Sequence, residues 1–169
     1  MDEASPQTTS NTVRVWSFTK PSIVKCTKRI KANTFGFYAL NGNSTANFYE
    51  ESKKEDVCLF LETIREHNPG KRIVLILDNF RAHHAYDTLE YAEMLDIRLV
   101  FLPPYSPDLN PIEFIWKDGK KEISTSFITT KEEMRTRIAN TYEVLSRKLS
   151  YATAWIDKFL KPLHISIIS

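Results

Sequence analysis

Two acidic side chains, Asp78 and Glu113, stand where the chain could bring carboxylates together. Asp78 directly follows the apolar run Ile73–Leu77, and 34 residues separate it from Glu113, which lies just beyond a proline-rich connector. Carboxylate oxygens are the protein ligands that Mg²⁺ prefers, usually one or two together with waters and substrate phosphates. Two such ions about 4 Å apart can ionise an attacking water and stabilise a leaving oxygen. The pair therefore indicates metal-dependent cleavage of phosphodiesters.

A two-metal centre needs about three carboxylates, and Asp2 is the candidate for the third. Each residue also has a simpler interpretation. Glu113 could complete a helix cap behind Asn110, Asp78 could be an ordinary residue of a strand-ending turn, and Asp2 could be a solvated charge near the chain start. The residues alone favour the pair and leave the triad open.

A predicted strand–helix–strand unit explains how Asp78 and Glu113 can meet. Ile73–Leu77 is typical of a central strand covered on both faces. Residues 85–95 are predicted to form a helix, and residues 99–102 a second buried strand. The two strands should be parallel with a right-handed crossover, so both end at the edge where open α/β sheets place their sites. The connector leaves from that edge, and the helix after it returns Glu113 within its first turn.

The remaining elements complete a mixed α/β layered fold in one domain, residues 1–169. Asn41-Gly42-Asn43 is a hairpin turn signal between two strands, Asn110 is the expected N-cap of the helix that carries Glu113, and Thr130 with Glu133 forms a predicted capping box. The predicted strands are residues 13–18, 30–40 and 46–50, and the other predicted helices are Lys54–His67, 111–122, 130–149 and 151–160.

The charge distribution is more informative than the net charge of +2. Residues 4–49 contain no acidic residue, which suggests a face that meets a polyanion, although a solvated basic loop is the alternative. The basic residues of that stretch are Arg14, Lys20, Lys25, Lys28, Arg29 and Lys31. No apolar run approaches the roughly 20 residues of a membrane span, and the acidic start does not resemble a secretory signal. We therefore expect a cytoplasmic protein.

Two sequence strings resemble the mariner-like superfamily of DDE transposases, and in particular its bacterial and archaeal insertion-sequence branch. The first runs from Ile76 to His83 and opens its Asp-Asn pair at Asp78; the second contains Pro-Tyr-Ser-Pro-Asp-Leu-Asn-Pro-Ile and ends at Glu113. Asp2-Glu3 upstream of Arg14-Val15-Trp16 fits the family's first catalytic Asp. The resemblance implies a ribonuclease-H-like mixed sheet flanked by helices, in which Asp2, Asp78 and Glu113 are catalytic and bind two Mg²⁺ or Mn²⁺ ions.

The resemblance also implies the reaction. Water cuts DNA at a transposon end, and the freed 3′-hydroxyl then attacks target DNA. The first strand is truncated before Asp2, and the amino-terminal helix-turn-helix modules that read transposon ends are absent from these residues. Two alternatives stay open: an inactive remnant that keeps the fold and binds DNA or a full-length partner, and a ribonuclease-H-like nuclease that acts outside transposition.

Two groups of basic residues are candidates for phosphate contacts, which position DNA without reading its sequence. Lys117, Lys120 and Lys121 follow Glu113 on one predicted helix face, with a solvated face as the alternative. The second group is Lys25, Lys28, Arg29 and Lys31. Asn79 and His83 are expected to orient a carboxylate or DNA rather than bind metal. The expected partners are transposon-end and target DNA in the nucleoid, and either a second copy or the missing amino-terminal half.

Overall fold

Five strands and five α-helices occur in the described residues, 1–10, 18–19, 22 and 24–163, of a computed structural model. Short 3₁₀ turns connect several of them. In chain order the elements are β1 Asp2–Ala4, β2 Asn33–Phe37, β3 Thr45–Tyr49, α1 Lys54–His67, β4 Ile73–Leu77, α2 Tyr86–Met94, β5 Ile97–Phe101, α3 Ile112–Thr125, α4 Lys131–Ser146 and α5 Thr153–Phe159.

The strands form two paired groups. β1, β2 and β3 are antiparallel neighbours in that order, with Asp2 opposite Gly36 and Phe37 opposite Thr45. β4 and β5 are parallel, with Ile73 opposite Ile97, which confirms the predicted strand–helix–strand unit. The amino group of Met1 donates a hydrogen bond of 2.7 Å to the carbonyl of Ile76, so β1 lies against β4 at this point.

Helix α1 covers one side of the strands. Its apolar positions recur at helical spacing, and Phe60, Leu61 and Ile64 are fully buried against Phe35 and Leu75. The Phe35 and Phe60 rings meet edge to face at 5.7 Å, an arrangement that aromatic pairs favour. This core holds the carboxyl end of β4, and therefore Asp78, in a fixed place.

Helices α3 and α4 cover the other side of β1 and β2. Ile112, Ile115 and Trp116 of α3 pack with Ala4 and with Tyr142 of α4. α3 lies so close to β2 that a Cβ at Gly36 would stand 2.5 Å from Trp116 Cζ2, so only glycine fits there. Gly36 is also the partner of Asp2 in the sheet. The close approach therefore brings the helix of Glu113 to the strand of Asp2.

Several sequence predictions need correction. Asn110 does not cap α3 through its side chain: Pro111 has helical φ and ψ, and the Asn110 carbonyl accepts the Glu113 N–H at 3.1 Å. In the predicted capping box, Thr130 accepts the Glu133 N–H, but the Glu133 carboxylate accepts the N–H of Thr129 instead of Thr130. The predicted strand at residues 13–18 lies almost wholly outside the described residues.

The prediction that β4 is covered on both faces is wrong for one face. Leu75 and Leu77 are buried, whereas Val74 is 59% exposed. Side chains alternate between the two faces of a strand. Helix α1 covers one face of β4, and within the described part of the chain the opposite face is only partly covered at Val74. No helix in the described part of the chain is long and apolar enough to cross a membrane.

Candidate active site

Asp2 is a buried carboxylate at the start of β1. It is 7% exposed, its strand contacts α3, and the charge of Glu113 in the first turn of α3 acts on it. Burial raises the pKa of Asp2 to about 7, and the nearby charge of Glu113 is the second cause. The Met1 amino group partly offsets this rise. Asp2 thus stays charged at neutral pH only at a cost, unless a cation joins it.

Asp78 comes directly after β4 and its side chain is 50% exposed. Its Oδ1 accepts the Phe80 N–H at 3.0 Å and forms an ion pair with His83 Nδ1, also at 3.0 Å, while the Asp78 carbonyl lies 3.3 Å from the same nitrogen. The bond from His83 is the largest cause that holds the pKa of Asp78 below its ordinary value. Asp78 is therefore an ionised carboxylate with one oxygen already fixed by the protein.

Glu113 lies in the first turn of α3 and is partly exposed. Its effect on the pKa of Asp2 indicates that the two carboxylates are close enough to repel each other. The structure thus brings Glu113 close to Asp2, and the charges of Asp2 and Asp78 both act on the Met1 amino group. Among the described residues, however, these three do not form a group whose ligand atoms all lie within 4.8 Å of one another.

The group that does meet this distance is Glu3, Asp78 and His83. His83 is fully buried, with Nε2 2.8 Å from Glu3 Oε1 and Nδ1 3.0 Å from Asp78 Oδ1. Burial lowers the pKa of His83, but the bonds to Asp78 and Glu3 outweigh it and raise that pKa to about 9. Because both ring nitrogens are engaged by carboxylates, the group forms a charged hydrogen-bonded bridge between Glu3 and Asp78.

Glu3 is the site residue that the sequence predictions missed. Alternation along β1 turns Glu3 away from the face of Asp2 and toward η1, the 3₁₀ turn Arg81–His84 that carries His83. The signal was present in the sequence: an acidic residue beside Asp2 in a strand must face the opposite side of the sheet. His83 therefore joins the strand of Asp2 to the loop of Asp78.

Asn79 connects the loop after β4, which carries Asp78, to the end of β5 through hydrogen bonds. Its amide donates to the Leu102 carbonyl, and its Oδ1 lies 3.1 Å from His84 Nε2. The His84 ring in turn stacks on Phe101 at 4.1 Å. These contacts of Asn79 involve a backbone carbonyl and His84 and no carboxylate, so its role in orienting a carboxylate or DNA stays a prediction.

The two basic groups lie on different segments of the chain. On α3, Lys117 and Lys121 are exposed and Lys121 pairs with Asp118 at 2.7 Å, whereas Lys120 lies at the contact between α3 and α4. The second group follows the chain beside residues 6–10: Lys25 donates to the Ser10 carbonyl, Arg29 donates to Gln7, and Lys28 and Lys31 are exposed. Only the first group extends directly from the helix of Glu113.

Solved structures of Mos1 transposase share this fold. A paired-end complex with the left transposon end superimposes with a TM-score of 0.63 at 15% identity, covering 89% of this chain and 51% of that one. A catalytic domain with raltegravir and Mn gives 0.59 at 14% identity, covering 71% and 70%. A strand transfer complex gives 0.58 at 13% identity, covering 94% and 54%. The fold is thus the ribonuclease-H-like one of transposase catalytic domains.

The family follows from the sequence match. A family described as DDE superfamily endonuclease matches residues 1–135, about four-fifths of the chain. The chain therefore belongs to the DDE superfamily of endonucleases. It spans about half the length of the Mos1 chains in the two DNA complexes. Among curated proteins, no sequence matches it.

Proposed function

We propose that these residues are the catalytic domain of a transposase, which cleaves DNA strands and joins them to target DNA. Asp2, Asp78 and Glu113 are proposed as the ligands of two Mg²⁺ or Mn²⁺ ions. The sequence left three functions open: a transposase, an inactive remnant, and a nuclease outside transposition. The family match and the similarity to Mos1 structures favour the transposase.

The observation that carries the proposal is the state of Asp2. The Asp2 side chain is 7% exposed, and its pKa is raised to about 7 by burial and by the charge of Glu113. Keeping this carboxylate charged therefore costs free energy. Buried charges are normally paired or coordinate metals. An all-oxygen donor set is also the kind that Mg²⁺ and Mn²⁺ prefer. The residues present therefore fit divalent cations.

When bound, the two cations supply activation of the attacking oxygen and stabilisation of the leaving one. The protein's own residues prepare the carboxylates for this. His83 holds one oxygen of Asp78 at 3.0 Å, which leaves the other oxygen for a ligand role. Asn79 fixes the loop to β5. Partners of this kind orient ligands, and their loss typically costs 10- to 100-fold in metal affinity or activity, as a rough range.

DNA reaches the site, in this proposal, along the exposed side of α3. Lys117 and Lys121 are placed to meet phosphates beside the carboxylates, which positions the strand without reading its sequence. The basic group at Lys25–Lys31 is proposed as a second, more distant phosphate contact. Sequence-specific recognition of transposon ends is assigned to helix-turn-helix modules outside the single catalytic domain 1–169. Such an enzyme would work at the nucleoid in the cytoplasm.

The Mos1 structures motivate the choice of substrates. One is a paired-end complex with the left transposon end, another is a strand transfer complex, and one catalytic domain holds Mn. For this chain we therefore propose transposon-end and target DNA as substrates. A second copy of this chain is the proposed protein partner.

Metal-dependent nicking by matched variants tests the proposal. Wild-type protein, Asp78→Asn and Glu113→Gln are incubated with duplex DNA in Mn²⁺ or in EDTA, and Glu122→Gln, an exposed acid at the far end of α3, is the control. We expect nicking by the wild type and the control in Mn²⁺ alone, and loss in both site variants, with unchanged circular dichroism. Retained nicking in either site variant would refute the ligand assignment. A DNA–RNA hybrid and structured RNA as parallel substrates test transposition against other nuclease roles, and preferential cleavage of either would contradict the proposed substrate.

A further inference from the structure

The side chain of Asp2 lies on the side of the sheet that α3 and α4 cover. Its partner in the pairing of β1 with β2 is Gly36, and residues opposite each other in antiparallel strands point to the same side. Ala4, two residues further along β1, points to that side as well, because side chains alternate along a strand. Ala4 packs with Trp116 and Tyr142, so these two aromatic residues share the side of Asp2.

The indole of Trp116 lies next to the strand pair that contains Asp2. A Cβ at Gly36 would stand 2.5 Å from Cζ2 of the indole and 2.8 Å from Cη2. Cζ2 is bonded to the ring carbon that carries Nε1, so Nε1 is close to the part of the ring that meets this pair. The Tyr142 ring lies against the indole, with centroids 5.1 Å apart and planes tilted by 35°. An N–H donor and an O–H donor are thus brought into one small region beside Asp2.

Both donor groups are buried. Trp116 is 3% exposed and Tyr142 is 4% exposed, and in the described part of the chain neither Nε1 nor the Tyr142 hydroxyl has a hydrogen-bond partner. Buried polar groups normally have partners, because a group that loses water without a replacement costs free energy. Burial raises the pKa of Tyr142 well above its ordinary value, and the charge of Asp2 is the second cause. The hydroxyl therefore stays protonated, as a donor that the Asp2 charge reaches.

We propose that Trp116 and Tyr142 are positioning residues for Asp2 and act on it through one interior water. The water would accept hydrogen bonds from the indole N–H and the tyrosine O–H, and it would donate one to the Asp2 carboxylate. Interior waters typically make about three hydrogen bonds to buried polar groups that otherwise lack partners. Two donors and one acceptor of this kind are what Trp116, Tyr142 and Asp2 supply.

The consequence for the site is a fixed orientation of Asp2. One carboxylate oxygen would be held from the side of α3 and α4, which leaves the other oxygen for a cation. Partners of this kind keep a ligand in the orientation that a metal requires. This consequence rests on the proposed function, in which Asp2 is a metal ligand, whereas the water site itself does not depend on it.

NMR of the indole N–H tests the water site in metal-free protein. The chain has three tryptophans, so its indole signals are few. We expect a cross-peak between the Trp116 indole proton and a long-lived water in the wild type. Tyr142→Phe, which removes only the hydroxyl, and Asp2→Ala, which removes the carboxylate, should both lose it. The control Tyr151→Phe removes a hydroxyl that donates to Asp118 at 2.8 Å, and it should keep the cross-peak.

Calorimetric titration with Mn²⁺ tests the positioning role. Tyr142→Phe should bind Mn²⁺ about tenfold more weakly than the wild type, whereas Tyr151→Phe should bind as the wild type does. In an Asp2→Ala background the loss caused by Tyr142→Phe should disappear, because Tyr142 acts only through Asp2. A general disturbance of the core would instead weaken binding in both backgrounds.

Three results would overturn the inference. These are no water cross-peak at Trp116 in the wild type, an equal loss of the cross-peak in Tyr151→Phe, and a loss of Mn²⁺ affinity by Tyr142→Phe that is the same in the Asp2→Ala background. If Tyr142→Phe does not fold, the spectra of the wild type and of Asp2→Ala decide the question. If Asp2→Ala binds Mn²⁺ as the wild type does, the proposed ligand role of Asp2 fails, and the indole spectra still test the water site separately.

Discussion

Replacing Asp2 with asparagine should make the metal-free protein more stable at alkaline pH, although it removes a proposed catalytic group. The pKa of Asp2 is raised from 3.8 to about 7, mainly by burial and then by Glu113. One pKa unit corresponds to about 1.4 kcal/mol, so the charged form costs the folded state about 4 kcal/mol at high pH. Because the folded pKa is the higher one, folding takes up a proton between these values, and the free energy of unfolding falls as pH rises.

Most of this loss, about 3 kcal/mol, is expected between pH 5 and pH 8. The Asp2→Asn variant should not show this loss of unfolding free energy. His83 contributes stability that is lost as pH rises from 6.5 toward its raised pKa of about 9, but both proteins share that loss. The difference between the two proteins therefore reports Asp2 together with its charge interaction with the Met1 amino group.

Urea unfolding in EDTA at a series of pH values measures this difference. Asp2→Asn should be more stable than the wild type by about 1 to 2 kcal/mol near pH 5 and by about 4 kcal/mol at pH 8. Asp108→Asn, at an exposed aspartate of the connector, is the control and should follow the wild type. A variant that is less stable than wild type at both pH values would show that the Asp2 carboxylate is not a buried, strained charge.

Three further predictions concern the same site. Mn²⁺ at about a hundredfold over its dissociation constant should stabilise the wild type by about 2.7 kcal/mol in thermal unfolding; Glu113→Gln should lose most of that gain, and an equal gain would contradict its ligand role. His83→Gln breaks the bridge between Glu3 and Asp78, so we expect destabilisation of about 3 kcal/mol and at least about tenfold weaker Mn²⁺ binding by calorimetry. If stability and Mn²⁺ binding both stay unchanged, the bridge has no role in holding the site. Lys117→Ala should reduce the salt dependence of DNA binding by about one ion, measured by fluorescence anisotropy, and an unchanged slope would remove it from the interface.

The sequence predicted best where a single periodic pattern decides the structure. The bounds of Lys54–His67 and Ile73–Leu77 were predicted correctly, because a long amphipathic stretch and a short apolar run bounded by turns are unambiguous. The parallel pairing of β4 with β5 followed from chain connectivity alone. The edge where Asp78 lies was therefore predictable before any coordinates.

What the sequence could not reveal depends on contacts between distant segments. The bond between His83 and Glu3 joins residues 80 positions apart, and no local pattern signals it. The exposed face of β4 at Val74 was also missed, since a continuous apolar run does not tell how many faces are covered. Asp2 was selected through the family resemblance, whereas its burial depends on the close approach of α3 to Gly36.

The central claim is that Asp2, Asp78 and Glu113 together bind divalent cations. A crystal of this protein soaked in Mn²⁺ and measured at the manganese absorption edge tests it directly. The account predicts anomalous density between these three carboxylates, with His83 still bonded to Glu3. Density bound by His83 and Glu3, or none near Glu113, would contradict it.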